Sequence, residues 1–306
     1  MLKFVAQLSL DFLFGGVKAI PNEGEEVLSK IFDIQLGGGT LVYPLVLSRL
    51  GVPCALLAKW QPSMHGELAR GLLKSYAIHE VEMMEVDYDP IMTTAIISME
   101  KDRSFVSHND ERAFQFSDEK LLSFYQDSDV VFAPETNQDI IHPLKRMGKT
   151  IVFDIGWQDD LDINHYKLLL KDVDYFTPND KEAMAMTHTA SVEDSVKVLS
   201  KYVKYPIVSC GEHGCLTWMD DTFVRVPVPK GIQPVDTTGA GDNFMAGLIY
   251  GIYKRMGIIE SIKFATCTGS LSTQGIGCYG YPYTLKEILN MKKEITIKTY
   301  KERKYH

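Results

Sequence analysis

An α/β fold with a mostly parallel central sheet, covered by helices on both faces, is predicted by three features of this 306-residue sequence. From about residue 129 onwards, short apolar runs with strand character alternate with helical patterns, which is the rhythm of strands joined through crossover helices. Two hairpin-like regions in the N-terminal third break that rhythm and point to a small separate sheet, of the kind that forms a lid over an α/β site. No repeat, low-complexity tract or Pro/Ser-rich linker divides the chain, so residues 1–306 are read as one unit, with the lid drawn from about 12–34 and 89–113.

The elements follow in order. KFVAQLSLDFLF reads as a strand that turns near Asp11, and EEVLSKIFDIQL as a second β-rich run. TLVYPLVLSRLG is a helix stopped by Gly51, CALLAKW a short apolar strand, and HGELARGLLKSY a helix. TTAIISMEKDRSFVSH is a hairpin with Lys101 and Asp102 near its turn. Then come DVVFAP, TIVFDIG, VDYFTPN and YPIVSCG as strands with helices between them, followed by a hairpin around CLTWMDDTFVRV. Helices through SIKFATCTGSLSTQG and TLKEILNMKKE lead to a basic tail, KTYKERKYH, read as a solvated end.

Composition narrows the function. A net charge of -8 argues against a general nucleic-acid binder, which needs a basic surface. No apolar stretch approaches the roughly 20 residues needed to span a bilayer, so no membrane role is expected. Gln7 and Asp11 interrupt the N-terminal apolar run that might pass for a signal peptide. Five cysteines without a CxxC pair read as reduced thiols in a cytoplasmic protein.

The most informative stretch is PVDTTGAGDNFMAGLIYGIY, residues 234–253. A helix from about Ala240 carries Phe244, Ala246, Leu248, Ile249 and Ile252 on its apolar face, with Gly247 and Gly251 for close packing. Its first turn is Gly239-Ala240-Gly241-Asp242. The opening N–H groups of a helix lack internal partners and carry the positive end of the dipole, and glycines let an anion approach them. The residues alone fit two readings. One is a glycine-rich loop with a dipole-favoured Asp in the first turn; the other is an anion cradle beside a carboxylate that takes a proton from an attacking nucleophile.

DTTGAGDNFMAGL, residues 236–248, closely resembles the C-terminal signature of the ribokinase-like (PfkB-type) carbohydrate kinases. The resemblance extends over nearly the whole chain and implies a ribokinase-like three-layer α/β/α sandwich with a β-sheet lid. It implies ATP as phosphoryl donor, Mg²⁺, a small sugar-like acceptor, and a homodimer formed through the lid. It makes Asp242 the general base, with the N–H groups of Gly239, Ala240 and Gly241 as the hole for the transferred phosphoryl group.

Further matches assign further roles by the same resemblance. IPNEGEEVLSKIFDIQLGGG carries the family's Pro, Gly, carboxylate and Gly-Gly pattern, through Pro21, Gly24, Glu25, Gly37 and Gly38, and puts Gly38 and Gly39 at the substrate. Asp11 stands where relatives grip sugar hydroxyls, although a turn Asp between two strands would look alike. TPNDKE matches the N-x-x-E motif that organises Mg²⁺-bound water and phosphates, through Asn179 and Glu182; an N-cap Asn with a first-turn Glu has the same spacing. VSCGEHG resembles the nucleotide loop, carried by Ser209, Gly211 and Gly214, with Thr238 beside the signature. DRSFVSHNDERA resembles the return strand of the lid, with Arg103 and Asn109 as substrate contacts and His108 as a surface residue. Asp236 and Thr238 flank the signature as candidates for a K⁺ site, or as a loop held by its own side chains.

The acceptor side departs from the family. Val42 replaces the Asn four positions after the second Gly, only Gly66 survives of the Gly-Asp-Asp-x-x-Gly segment, and DIGWQ keeps only Asp154 of Asp-x-Asn-x-Arg. Two alternatives to a sugar kinase therefore stay open: a nucleoside kinase with Phe12, Phe14 or Phe105 stacking on a base, and a non-catalytic sugar- or nucleotide-binding regulator. The intact signature with Asp242 weighs against the second.

Overall fold

The computed structural model describes residues 1–99 and 103–301. Among these residues ten strands form the main sheet. Seven of them run parallel in the order β5 (Glu80–Glu85), β4 (Cys54–Trp60), β1 (Leu2–Val5), β8 (Val130–Phe132), β9 (Thr150–Phe153), β10 (Tyr175–Phe176) and β11 (Tyr205–Ser209). Three antiparallel strands complete one edge: β12 (Cys215–Met219), β13 (Thr222–Val226) and β14 (Lys298–Tyr300). The apolar character of these strands follows from burial on both faces: Ile151 and Val152 are neighbours in β9 yet belong to different core clusters.

One face is covered by α3 (Asp118–Tyr125), α4 (Ile141–Arg146), α5 (Ile163–Tyr166), α6 (Asp180–Thr187) and α7 (Val192–Leu199). The other is covered by α1 (Val42–Arg49), α8 (Ala240–Tyr253), α9 (Ile258–Ser272) and α10 (Leu285–Glu294). The glycines of α8 serve its contact with α9: a Cβ at Gly247 would lie 2.8 Å from Ala265 Cα, and one at Gly251 2.7 Å from Ser261 Cα. Larger residues there would force the helices apart.

A second, four-stranded sheet stands off the main body in the order β3 (Ile31–Leu36), β2 (Ser9–Gly15), β6 (Met92–Ser98), β7 (Arg103–His108). It is mixed: β2 pairs β6 in parallel, and the outer pairs are antiparallel. The hairpin expected between β6 and β7 is present, while Lys101 and Asp102 at its turn lie outside the described residues. At the base of this sheet, on the face opposite Asp11, Leu10 and Leu36 join Leu8, Leu41 and Leu45 against α2 (Met64–Leu73) and β4 in a third core cluster.

Two sequence expectations are corrected. The N-terminal strand breaks at Ala6–Leu8, where the chain passes from the main sheet to the lid, and Asp11 lies mid-strand in β2. All of Ala6–Leu8 is buried, and the single polar Gln7 within an otherwise apolar run does not by itself mark a break between two strands. The tail is not a free end as far as Tyr300: Lys298–Tyr300 pair with Arg225–Phe223 and close the sheet edge. Tyr300 stacks on Phe223 at 5.2 Å and donates to Glu193 Oε1 at 2.9 Å, the same oxygen that accepts from Arg225 Nη2 at 3.1 Å. Burial alone would push the Glu193 carboxyl up, but its partners Tyr300 and Arg225 outweigh it and hold the pKa below its ordinary value.

This closure predicts that Tyr300→Ala lowers unfolding free energy by about 1–2 kcal/mol, and that Tyr300→Phe, which keeps the stacking, costs about half as much. Urea denaturation of the two variants measures both; equal losses would mean that the stacked ring contributes nothing.

Candidate active site

The site lies at the carboxyl ends of the parallel strands, near the point where the chain order reverses on either side of β1. Three hollows meet there, and the first turn of α8 touches all of them.

The first is a cavity of about 430 Å³ on the α8–α9 side. Ser209, Gly211 and Gly214 line it as expected, opposite Val228, Ile232 and Phe244. Gly214 is required by its backbone: φ is +78°, and a Cβ there would lie 2.8 Å from Pro227 Cα.

The second is a cleft of about 320 Å³ holding Asp154, Asn179, Glu182 and Asp242 beside Gly239, Ala240 and Gly241. Asn179 and Glu182 form a reciprocal cap on α6: Asn179 Oδ1 accepts from the Glu182 N–H at 2.9 Å, and Glu182 Oε2 accepts from the Asn179 N–H at 2.8 Å. The N-cap reading of this pair is thus present in the structure, and the capped turn also lines the cleft with both side chains. Burial raises the pKa of Asp154, Glu182 and Asp242, and the Glu182 charge adds to the shift of Asp154. Arg103 is the sole cation lining the cleft among the described residues. It reaches down from β7 to donate to Thr237 Oγ1 at 2.7 Å, with Asp236 Oδ1 3.9 Å away.

Near-by carboxylates with so little cationic compensation suit a divalent cation. Among the described residues no three His, Cys, Asp or Glu side chains could hold one alone. Asp154, Asn179 and Glu182 fit a Mg²⁺ that keeps its water shell and draws its other ligands from phosphates.

The third hollow, about 370 Å³, lies under the lid. Asp11, Gly38 and Gly39 line it, and so does Asp242, which thereby faces both the cleft and this cavity. The Gly39 N–H donates to Asp242 Oδ2 at 3.1 Å and fixes the carboxylate between the two spaces. Burial and then the Asp242 charge push the Asp11 pKa from its ordinary 3.8 to about 6. Gly37 has no room for a side chain: a Cβ would collide with Ser9 Oγ and sit 2.7 Å from Asp11 Oδ1.

Several assigned residues fall elsewhere than expected. Thr238 faces the lid cavity, and its neighbour Thr237 takes the place on the nucleotide-loop side. The Thr238 N–H and Oγ1 both donate to Asp236 Oδ1, and the Gly277 N–H donates to Asp236 Oδ2, so the Asp236 carboxylate organises the signature loop. Arg103 lines the cleft and not the lid cavity. Asn109 accepts from Gln7 Nε2 at 2.7 Å and faces an open surface groove. Phe12 and Phe14 share the outer face of the lid with Ile34 and Phe32, so of the three aromatics weighed for stacking only Phe105 lines the cavity. Gln7, Ser9, Thr40 and Thr94 line it unforeseen, as does Asp154 the cleft. A signal for two of them was present, because Gln7, Ser9 and Asp11 recur with the period of a strand.

Among the described residues no helix is long and apolar enough to cross a membrane, and all five cysteines are buried and unpaired.

Comparison with known proteins agrees with this arrangement. Residues 14–283 match the profile of the pfkB family carbohydrate kinases. A ribokinase of Lactococcus lactis is 34% identical over 128 residues, covering 42% of this chain and 41% of the relative. A putative sugar kinase of Pyrococcus horikoshii is 27% identical over 286 residues, covering 85% of this chain and 87% of the relative. The structure of an Arabidopsis thaliana ribokinase complexed with ribose and ATP superposes with a TM-score of 0.78 at 21% identity, covering 95% of this chain and 98% of that one. The chain thus has the ribokinase fold, and the match over most of its length shows that it belongs to the pfkB family of carbohydrate kinases.

Proposed function

We propose that this kinase transfers the γ-phosphoryl group of ATP to a hydroxymethyl group of a small sugar or sugar derivative bound under the lid, with Asp242 as general base. The observation that carries the reading is that Asp242 lines both the lid cavity and the carboxylate cleft while sitting in the first turn of α8. An acceptor hydroxyl held against Asp11 gives its proton to Asp242 and attacks the γ-phosphorus. One O–P bond forms as the bond to the β-phosphate oxygen breaks, and ADP leaves. The N–H groups of Gly239, Ala240 and Gly241, at the positive end of a 14-residue helix, receive the phosphoryl oxygens. The Ala240 N–H meets the Thr237 carbonyl at 3.2 Å, a long bond that an incoming anion can replace.

Ser209, Gly211 and Gly214 hold the nucleotide, and Asp154, Asn179 and Glu182 would hold Mg²⁺ through water; when bound, the ion neutralises phosphate charge. A monovalent cation such as K⁺ at the Asp236 loop would rest on main-chain carbonyls, since the carboxylate already accepts three hydrogen bonds. The lid excludes water that would otherwise consume ATP.

Asp242→Asn is expected to leave ATP affinity nearly unchanged and to lower kcat by roughly 10²-fold or more. Calorimetry and ADP release measure the two, and wild-type turnover would remove Asp242 from the mechanism.

The pH profile tests the same carboxylates. Both Asp242 and Asp11 are raised, and both are used in the charged form, so activity is present above the raised values and lost as pH falls through them. Asp11 is expected to bring in an acid limb of kcat/KM near pH 6, and the raised Asp242 acts in the same direction. A profile flat from pH 7 down to about 4.5 would contradict it.

The outer lid face supports a homodimer. Phe14 and Ile97 line its free part with Phe32 and Val106, which are 56% and 68% exposed, while Phe12 and Ile34 pack against the third core cluster, and β3 and β7 present open edges. Val106→Lys should shift sedimentation from dimer to monomer; a wild-type monomer at micromolar concentration would refute the arrangement.

A further inference from the structure

Asn243 directly follows Asp242 in α8 and is fully buried, at the start of the apolar run Phe244, Met245 and Ala246. Asn is a weak helix former, and a buried amide needs partners for its polar atoms. Here it has them. Asn243 Nδ2 donates to the Gly239 carbonyl at 2.9 Å and to the Cys278 carbonyl at 3.1 Å, and Oδ1 accepts from the Tyr283 hydroxyl at 2.5 Å. This orientation of the amide is dictated by its surroundings. Main-chain carbonyls only accept, so the nitrogen must face them, and the oxygen is left for the phenol. Burial pushes the Tyr283 phenol well above its ordinary pKa, so the hydroxyl keeps the proton that it donates. The Arg49 guanidinium packs on the Tyr283 ring, 4.5 Å from its centre.

The Gly239 carbonyl is the informative partner. It shares one planar trans peptide unit with the Ala240 N–H, and the two point in opposite directions. Whatever aims the carbonyl therefore aims the N–H. The carbonyl also accepts from the Asn243 main-chain N–H at 2.9 Å, the first regular bond of the helix. Gly239 itself is in the left-handed region, with φ of +70°, and has no side chain to restrain it. The amide adds a second fixed point, because the same nitrogen grips Cys278, on a segment outside the helix. That segment is anchored in turn, since the Gly277 N–H donates to Asp236 Oδ2 at 2.8 Å. On the other side of the peptide, Ala240 lines the carboxylate cleft, and its N–H makes the long bond to the Thr237 carbonyl.

We infer that Asn243 and Tyr283 are positioning residues for phosphoryl transfer: the Asn243 amide, locked by the Tyr283 hydroxyl, holds the Gly239–Ala240 peptide so that the Ala240 N–H points at the transferred group. Neither residue lines any of the three hollows of the site, so both act through Gly239. The inference rests on the reading of the α8 turn as the receptor of the γ-phosphoryl group.

The test uses the full chain with isotopically labelled alanine and glycine. NMR follows the Gly239, Ala240 and Gly241 amides as saturating ADP is exchanged for the non-hydrolysable β,γ-imido analogue of ATP, both with Mg²⁺, and calorimetry gives the two affinities. In the wild type, the Ala240 amide should shift downfield with the analogue and not with ADP. Asn243→Ala should weaken analogue binding about tenfold, leave ADP binding within about twofold, and remove most of the Ala240 shift. Tyr283→Phe keeps the ring against Arg49 and removes only the hydroxyl; it should act in the same direction by about threefold. If Asn243→Ala does not fold, this second variant decides.

Tyr125→Phe controls for stability. It loses a buried hydroxyl bond to the Phe132 carbonyl in the core cluster on the opposite face of the sheet. Like Tyr283→Phe it should lower the melting temperature by a few degrees, but with both nucleotide affinities and the Ala240 shift as in the wild type. Variants of Asn243 and Tyr283 that weaken both nucleotides alike, or that lower only the melting temperature, would make the pair a structural tie and overturn the inference, with the phosphoryl-receptor reading intact. A wild-type Ala240 amide that responds equally to ADP and to the analogue would instead sink that reading, and the inference with it.

Discussion

Two glycine-rich turns from opposite ends of the chain meet at the active site with no space left between them. A Cβ at Gly38 would lie 3.2 Å from Asp242 Oδ2 and 3.3 Å from Cys278 Sγ, and one at Gly239 would lie 2.5 Å from the same sulfur. Gly239 also has φ of +70°, which lets the chain turn sharply into α8. This contact sets where the helix N-terminus points and how near the loop of residues 37–39 comes to Asp242. The lid loop, the signature helix and the segment bearing Cys278 are therefore located by one steric constraint. The remaining features of the site are arranged around it.

Against that constraint, the legibility of the sequence divides by distance along the chain. The α8 signature and the Asn179–Glu182 cap are local, with all their partners inside one helical turn, and their residue types announce them. The alternation of apolar strands and helices likewise reveals the main sheet, because each strand buries both faces. Pairing between remote segments leaves no such mark. Tyr300 and Glu193 are 107 residues apart, and a polar tail that closes a sheet edge through main-chain bonds looks like a polar tail that does not. The parallel register of β2 on β6 brings Asp11 and Thr94 side by side, which neither segment discloses alone. Thr40 is hidden differently: the family pattern points to Val42, a fully buried core residue here, while Thr40 two positions earlier lines the cavity.

The site also explains why it cannot be the most stable part of the molecule. A buried carboxylate with a raised pKa holds fewer protons unfolded than folded between the two values, so folding loses stability as pH rises through that window. For Asp11 the window runs from 3.8 to about 6, and the cost is fully present at neutral pH. Asp154, Glu182 and Asp242 are shifted in the same direction. The large apolar clusters on both faces of the main sheet offset these costs. A cation held at the cleft as proposed would relieve the electrostatic part, so that ligand binding and conformational stability would rise together.

The passage from β1 to the lid has a further meaning. Ala6, Gln7 and Leu8 form the first crossing between the two sheets, and all three are buried. A later crossing, from β5 to β6, runs through Pro90 and Ile91, and Gln7 Nε2 donates to the Pro90 carbonyl at 2.9 Å, stitching one to the other. The two passages are thus packed against each other and joined by a hydrogen bond. Gln7 also lines the cavity that the lid covers. A guest that touches Gln7 in that cavity therefore also touches the tie between two of the passages on which the lid stands.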